Sequence, residues 1–145
     1  CASLIYLYEQ SSALLIVLLS TVCSVDILAY FGGKSKGRRK FVPSISPRKT
    51  WEGVWFGVAG GSLVSLISGY FFLSFDVSIL LCLTFATVLF AVVGDLLESL
   101  FKRLANLKDS GNLLPGHGGV LDRVDSLLAG APVFAGITIL AGVYE

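Results

Sequence analysis

Methionine is absent from this chain of 145 residues, histidine occurs once and cysteine three times. Charged residues are also scarce, at 14% of the chain, whereas a typical soluble domain has about 25%. The cysteines Cys1, Cys23 and Cys82 are odd in number and widely spaced, which argues against a disulfide framework and against a zinc site. Because the chain starts at Cys1 and has no methionine, we expect its natural start to be missing.

Long apolar runs dominate what is present, since 54% of the residues are hydrophobic. A helix needs about 20 apolar residues to cross a hydrocarbon layer of about 30 Å. Four runs come close to this length: Ser11 to Phe31, Trp51 to Leu73, Val77 to Leu97, and Ser126 to Val143. The sequence therefore predicts an all-α, polytopic integral membrane helix bundle with about four transmembrane helices.

The basic residues are confined to two segments, within 34–49 and 102–123. Only a short turn separates the second and third apolar runs, so these runs are expected to form a hairpin that places both basic segments on one side of the membrane. An excess of Lys and Arg marks the cytoplasmic side. We therefore predict two polar, basic loops that face the cytoplasm.

Small residues recur along the second apolar run, including the pair Gly57 and Gly61. This G-x-x-x-G spacing is typical of helices that pack closely within membranes. We expect these glycines to serve packing rather than chemistry.

The third run continues into GDLLESLFKR at 94–103, where several polar side chains fall at helical spacing on one face. These residues are Asp95, Glu98, Ser99, Lys102 and Arg103. An ordinary helix end with cations reaching the interface explains Lys102 and Arg103 well. It explains Asp95 poorly, because an ionisable residue deeper in a span usually indicates function.

The segment GHGGVLDRVD at 116–125 holds the single histidine, His117, followed by Gly118 and Gly119. Adjacent glycines let backbone amides approach a bound anion closely. Helical spacing then places Asp122 and Asp125 on one face. Together with Asp95 they would offer the hard oxygen ligands that Mg²⁺ prefers when it also holds phosphates, although such a pair of aspartates is also common on solvated helices.

The first basic segment, GGKSKGRRKFVPSISPRKTWEG at 32–53, mixes cations with glycines and hydroxyl groups. This composition favours a phosphate-rich ligand, and a plain membrane anchor is the alternative. Asp26 lies shortly before this segment. It is either a buried ion-pair partner or a contact to metal or substrate.

Three stretches together resemble a known family. The runs SLFKR at 99–103, KDSG at 108–111 and LPGHGGVLDRVD at 114–125 resemble the signature of the phosphatidate cytidylyltransferases, the CDP-diacylglycerol synthases. The stretches DILAYFGGK at 26–34 and SISPRKTWEG at 44–53 are similar to two upstream segments of the same family. The resemblance implies that residues 1–145 form the C-terminal transmembrane catalytic part of a larger enzyme.

The resemblance also implies an activity and its cofactors. CTP and phosphatidic acid would be converted to CDP-diacylglycerol and pyrophosphate, with Mg²⁺ required and K⁺ as a candidate second metal. The metal ligands would be Asp95, Ser99 and Asp122, supported by Asp125 and Glu98. A homodimer in the bacterial inner membrane or its equivalent is expected, and no nucleic-acid partner.

A site for this reaction needs metal ligands and cations rather than a strong base, because a phosphomonoester is largely dianionic at neutral pH. The predicted catalytic residues are Asp95, Asp122, Lys102, Asp125 and His117, the last contacting phosphate or holding the glycine loop. The predicted substrate-binding residues are Ser99, Arg103, Lys108, Gly118, Gly119, Arg123, Lys49 and Asp26.

Three other readings of the sequence stay open. The intramembrane carboxylates could form a cation or proton path of a transporter or channel. A related lipid kinase would transfer the γ-phosphate of CTP instead of the cytidylyl group. A remnant that binds its ligands without turnover is the third.

Overall fold

The computed structural model describes residues 2–43, 46–73, 75–105 and 121–142, and only the backbone of residues 47, 48 and 121–123. These residues form five helices and one hairpin of two strands. The helices are α1 (Ala2–Gln10), α2 (Ser12–Lys36), α3 (Trp51–Phe72), α4 (Val77–Leu104) and α5 (Leu121–Leu140). The strands β1 (Lys40–Val42) and β2 (Ser46–Thr50) pair antiparallel.

The predicted fold class is confirmed, because helices make up nearly all of the described structure. Helices α2, α3 and α4 are each long and apolar enough to cross a membrane. The fourth predicted span lies on α5, whose described apolar part, Val124–Leu140, is shorter. The hairpin between α2 and α3 was not predicted, and it lies within the first basic segment.

Helices α2 and α3 pack against each other through the small residues of α3. Gly53, Gly57 and Gly61 are buried on the face that meets α2. A methyl group added at Gly57 would lie 2.8 Å from the carbonyl oxygen of Val25 and 2.9 Å from the Cβ of Ala29. The close packing predicted from the glycine spacing is thus confirmed.

The bundle has a core of aliphatic side chains from several helices. Leu7 of α1, Leu14 of α2, Leu83 of α4 and Phe134 of α5 are fully buried. Many large apolar side chains point outward instead, among them Phe71 of α3, which is 76% exposed. An outward apolar surface of this extent suits a lipid environment, where such side chains need no protein cover.

The start of α3 is fixed by the strand that precedes it. The side chain of Thr50, the last residue of β2, accepts a hydrogen bond of 3.2 Å from the amide of Gly53 and so caps the helix. The Glu52 carboxylate in turn accepts the amide of Arg39, with oxygens at 3.2 and 3.3 Å. These contacts hold the hairpin against the end of the bundle.

Candidate active site

A cavity of about 580 Å³ opens at the end of the bundle where the hairpin lies. Helices α2, α3, α4 and α5 and the hairpin all contribute to its wall. Its apolar lining includes Val25, Ala29, Val54, Val92 and Leu96, and its acidic and basic lining residues are Asp26, Lys34, Lys49, Asp95 and Asp125. The cavity therefore combines an aliphatic wall with a cluster of charges.

One ion pair joins the hairpin to α4 across this cavity. The Lys49 ammonium of β2 lies 2.5 Å from Oδ2 of Asp95. The two side chains are 22% and 36% exposed. Asp95 lies about two and a half turns before the end of α4 at Leu104, so the hairpin brings Lys49 back over the helix toward the interior of the bundle. The predictions for Asp95 and Lys49 concerned separate roles, and the structure makes the two residues direct partners.

A second contact joins α2 to α5 through Ser126. The side chain of Ser126 is buried, and its hydroxyl donates a 3.0 Å hydrogen bond to Oδ1 of Asp26. The backbone amide of Ser126 donates to Oδ1 of Asp125 at 2.7 Å. Ser126 thus orients two cavity carboxylates, although nothing in the sequence singled it out.

Three carboxylates consequently face one another around the cavity. The Ser126 hydroxyl lies 3.0 Å from Oδ1 of Asp26 and 3.4 Å from Oδ1 of Asp125, and Asp95 lines the same cavity. Sequence reasoning predicted that Asp95 from one element and Asp125 from the next would lie together, and the structure places both on the cavity wall. Such a cluster attracts cations, and its oxygen atoms are hard ligands of the kind that Mg²⁺ binds.

The donor chemistry thus fits a divalent cation, although the described side chains alone do not form a complete site. No group of three or more His, Cys, Asp or Glu side chains within the described ranges is arranged to hold a metal ion. Asp122 lies on the first turn of α5, one turn before Asp125, and its side chain is outside the described residues. The predicted metal set therefore stays a prediction.

The remaining predicted residues of α4 follow the cavity lining toward the helix end. Lys102 Nζ lies 3.2 Å from Oε2 of Glu98, four residues earlier. Both side chains are largely buried, with 20% and 11% exposed. Ser99 is partly buried and Arg103 is exposed. All four belong to one continuous helix with Asp95, as the spacing predicted.

The glycine loop lies outside the described residues. Lys108, His117, Gly118 and Gly119 all fall in 106–120, and the structure gives no account of them. Arg123, like Asp122, lies on the first turn of α5 with its side chain outside the described residues. The described ends of α4 and α5 nevertheless bring the two ends of this loop to the same end of the bundle as the cavity.

A bundle of apolar helices with a charged cavity near one end defines an integral membrane protein whose site suits a cation or a phosphate ligand. The model of the cytidylyltransferase family matches residues 2–140, so the chain belongs to that family.

Curated relatives agree with this assignment. The chain is 48% identical over 137 residues to a phosphatidate cytidylyltransferase of Pseudomonas aeruginosa, covering 93% of this chain and 51% of the relative. It is 44% identical over 131 residues to one of Haemophilus influenzae, with 84% and 44% covered. A Rickettsia typhi phosphatidate cytidylyltransferase is 43% identical over 145 residues, with 94% and 64% covered. The chain spans about half the length of these relatives.

Proposed function

We propose that this chain carries the active site of a phosphatidate cytidylyltransferase, which converts CTP and phosphatidic acid to CDP-diacylglycerol and pyrophosphate in phospholipid biosynthesis. The observation that carries the proposal is the cavity itself. It places three carboxylates and the Lys49 ammonium beside an aliphatic wall at one end of an apolar bundle. The names of the relatives supply the substrates.

The composition of the cavity suits the meeting of a lipid with a nucleotide. The head group of phosphatidic acid lies at the membrane surface while its acyl chains stay in hydrocarbon, and CTP arrives from water. Val25, Val54 and Val92 offer an apolar wall to the lipid. The charged cluster beside them offers contacts to phosphate groups, because ionised donors form the strong hydrogen bonds to phosphate oxygens.

The proposed reaction is a nucleotidyl transfer. A phosphate oxygen of phosphatidic acid attacks the α-phosphorus of CTP, a new P–O bond forms, and the bond from the α-phosphorus to the bridging oxygen of pyrophosphate breaks. The attacking oxygen is already ionised at neutral pH, so no described residue has to remove a proton. The protein's task is to align two anions and to stabilise charge on the leaving pyrophosphate.

Several residues of the chain would share these tasks. Lys49 and Lys102 are the cations nearest the described carboxylates. Asp95 and Asp125 would hold Mg²⁺, and the family resemblance adds Asp122, Ser99 and Glu98 to the ligands and K⁺ as a second ion. Bound Mg²⁺ would neutralise phosphate charge and favour pyrophosphate departure. His117 and the glycine loop, with Lys108, Arg103 and Arg123, would contact substrate phosphates.

The proposal also gives the site an orientation and an oligomeric state. The described basic residues from Lys34 to Lys49 and at the end of α4 lie at the same end of the bundle as the cavity. The positive-inside rule assigns that end to the cytoplasm, where CTP is found. We expect a homodimer in the bacterial inner membrane or its equivalent, by family resemblance.

The identity of the product tests this function. Purified chain in detergent is incubated with CTP labelled at the α-phosphate, phosphatidic acid and Mg²⁺, and the Pseudomonas aeruginosa relative serves as the positive control. We expect the label to enter a CDP-lipid, with release of pyrophosphate. Phosphorylated lipid with release of CDP would indicate a lipid kinase. Ion flux in liposomes without CTP, and no labelled lipid, would indicate a transporter.

A further inference from the structure

We propose that Lys49 is a tethered counter-ion of Asp95 that leaves this carboxylate when a divalent cation binds there, and that its ammonium then moves to a substrate phosphate. The inference rests on the proposed function and adds a residue role to it. It couples two events, occupation of the carboxylate cluster and delivery of a lysine to the phosphate group.

The position of Lys49 supports this exchange. Its ammonium nitrogen is shielded from solvent beside Asp95, although 22% of the side chain remains exposed. A lysine ammonium has three donors, and a single carboxylate oxygen accepts only one of them well. The contact therefore neutralises Asp95 while leaving donors that a phosphate could use.

The charges around the cavity favour a stronger cation than lysine. Asp26 and Asp125 also face the site, and Lys49 pairs with neither of them at ion-pair distance among the described contacts. At equal distance a divalent ion attracts a carboxylate twice as strongly as an ammonium does. It also binds several oxygen ligands at once. A divalent cation can therefore neutralise both Asp95 and a neighbouring carboxylate, whereas Lys49 neutralises Asp95 alone.

The architecture lets Lys49 move without unfolding its surroundings. It is carried by a short strand, whereas Asp95 is carried by the long helix α4. The four-carbon lysine stem is flexible and its charge is a compact point charge that suits phosphate. Thr50 and Glu52 hold the hairpin to α3 independently of the ion pair. Once Lys49 is released from Asp95, its side chain can move within the cavity while the hairpin stays in place.

This coupling is reciprocal. If a divalent cation displaces Lys49 from Asp95, removal of the lysine charge must strengthen binding of that cation in the absence of substrate, since binding free energies are linked. A lysine that only contacts substrate would not have this effect on the free protein. The prediction therefore concerns metal affinity and not activity.

The test is a titration of the substrate-free chain with Mn²⁺, followed by electron paramagnetic resonance of the free ion. We expect Lys49→Gln to lower the Mn²⁺ dissociation constant by about fivefold or more, and Lys49→Arg to leave it close to the original value. Lys34→Gln is the matched control, because Lys34 lines the same cavity but forms no ion pair among the described residues. Its effect should be clearly smaller.

Several results would overturn the inference. An unchanged or raised dissociation constant in Lys49→Gln would show that Lys49 does not compete with the ion, and equal effects of Lys49→Gln and Lys34→Gln would show only a general effect of charge. Absence of Mn²⁺ binding would also contradict it. If the chain bound Mn²⁺ in the predicted manner yet formed no CDP-lipid, the proposed function would fail and the exchange would stand.

A second measurement uses the unmodified chain and does not depend on how a variant folds. Labelling of the Lys49 amine by an amine-reactive reagent, followed by mass spectrometry, should become faster at saturating Mg²⁺, because the ammonium is shielded beside Asp95 until the cation displaces it. Lys34, which lines the same cavity, serves as the internal reference. Unchanged labelling of Lys49 relative to Lys34 would contradict the release of Lys49.

Discussion

The close contact between α2 and α3 makes a quantitative prediction for Gly57→Ala. The added methyl group would lie 2.8 Å from the Val25 carbonyl oxygen and 2.9 Å from the Ala29 Cβ. Neither a backbone oxygen nor an alanine methyl can rotate away, so the two helices must separate. Overpacking of this kind costs about 1 to 3 kcal/mol.

The matched control is Gly136→Ala in α5, where an added methyl group meets no atom within 4 Å. Both variants make the same chemical change within a helix, so the gain in helix propensity of about 1 kcal/mol is common to them. The difference between their free energies of unfolding therefore isolates the cost of the contact. We expect Gly57→Ala to be less stable than Gly136→Ala by about 1 to 3 kcal/mol.

The assay is unfolding of the detergent-solubilised chain in sodium dodecyl sulfate, followed by the fluorescence of Trp51 and Trp55, both on α3. Activity should fall in Gly57→Ala as well, because Val25 directly precedes Asp26 on the cavity wall. Equal stability of the two variants would refute the packing of α2 on α3 described above. Lower stability with full activity would refute the link between this packing and the site.

Two further predictions concern the contacts that position the site. Ser126→Ala removes the hydroxyl that donates a hydrogen bond to the Asp26 carboxylate. Hydrogen bonds to charged groups contribute about 1.5 to 3 kcal/mol, and we take the lower figure because Asp26 is exposed to the cavity. If this hydrogen bond positions Asp26 for the reaction, kcat/KM should fall about tenfold. Ser126→Thr should retain most of the activity, and equal losses in both variants would contradict the positioning role. Glu52→Gln weakens the acceptor of the Arg39 amide, so hydrogen exchange at that amide should accelerate; an unchanged rate would show that this contact does not hold the hairpin.

The helices were predictable because their signal is local. Runs of apolar residues predicted α2, α3 and α4, and the spacing of Gly57 and Gly61 indicated the face of α3 that packs against α2. The Glu98 and Lys102 pair follows from helical spacing alone. The hairpin was missed, because strands of three and five residues rich in charge carry no clear alternation of apolar and polar positions.

The contacts within the site were less predictable because they join distant parts of the chain. Ser126 and Asp26 are 100 residues apart, and a single serine at the start of an apolar run carries no pattern of its own. Lys49 and Asp95 were each predicted as site residues, but their ion pair was not. The spacing of residues in the sequence does not tell which residue of β2 meets which residue of α4. Asp95 and Asp125 were predicted to lie together because carboxylates from two successive elements are the hard oxygen ligands that Mg²⁺ prefers when it also holds phosphates.

The central claim, that the cavity is the catalytic site, is tested most directly by one comparison. CDP-diacylglycerol formation is measured for Asp95→Asn and for Asp76→Asn, which removes an exposed carboxylate before α4 at the opposite end of the bundle. We predict a loss of about 100-fold or more in kcat for Asp95→Asn and full activity for Asp76→Asn. Full activity of Asp95→Asn, with the product still formed, would place the chemistry elsewhere in the protein.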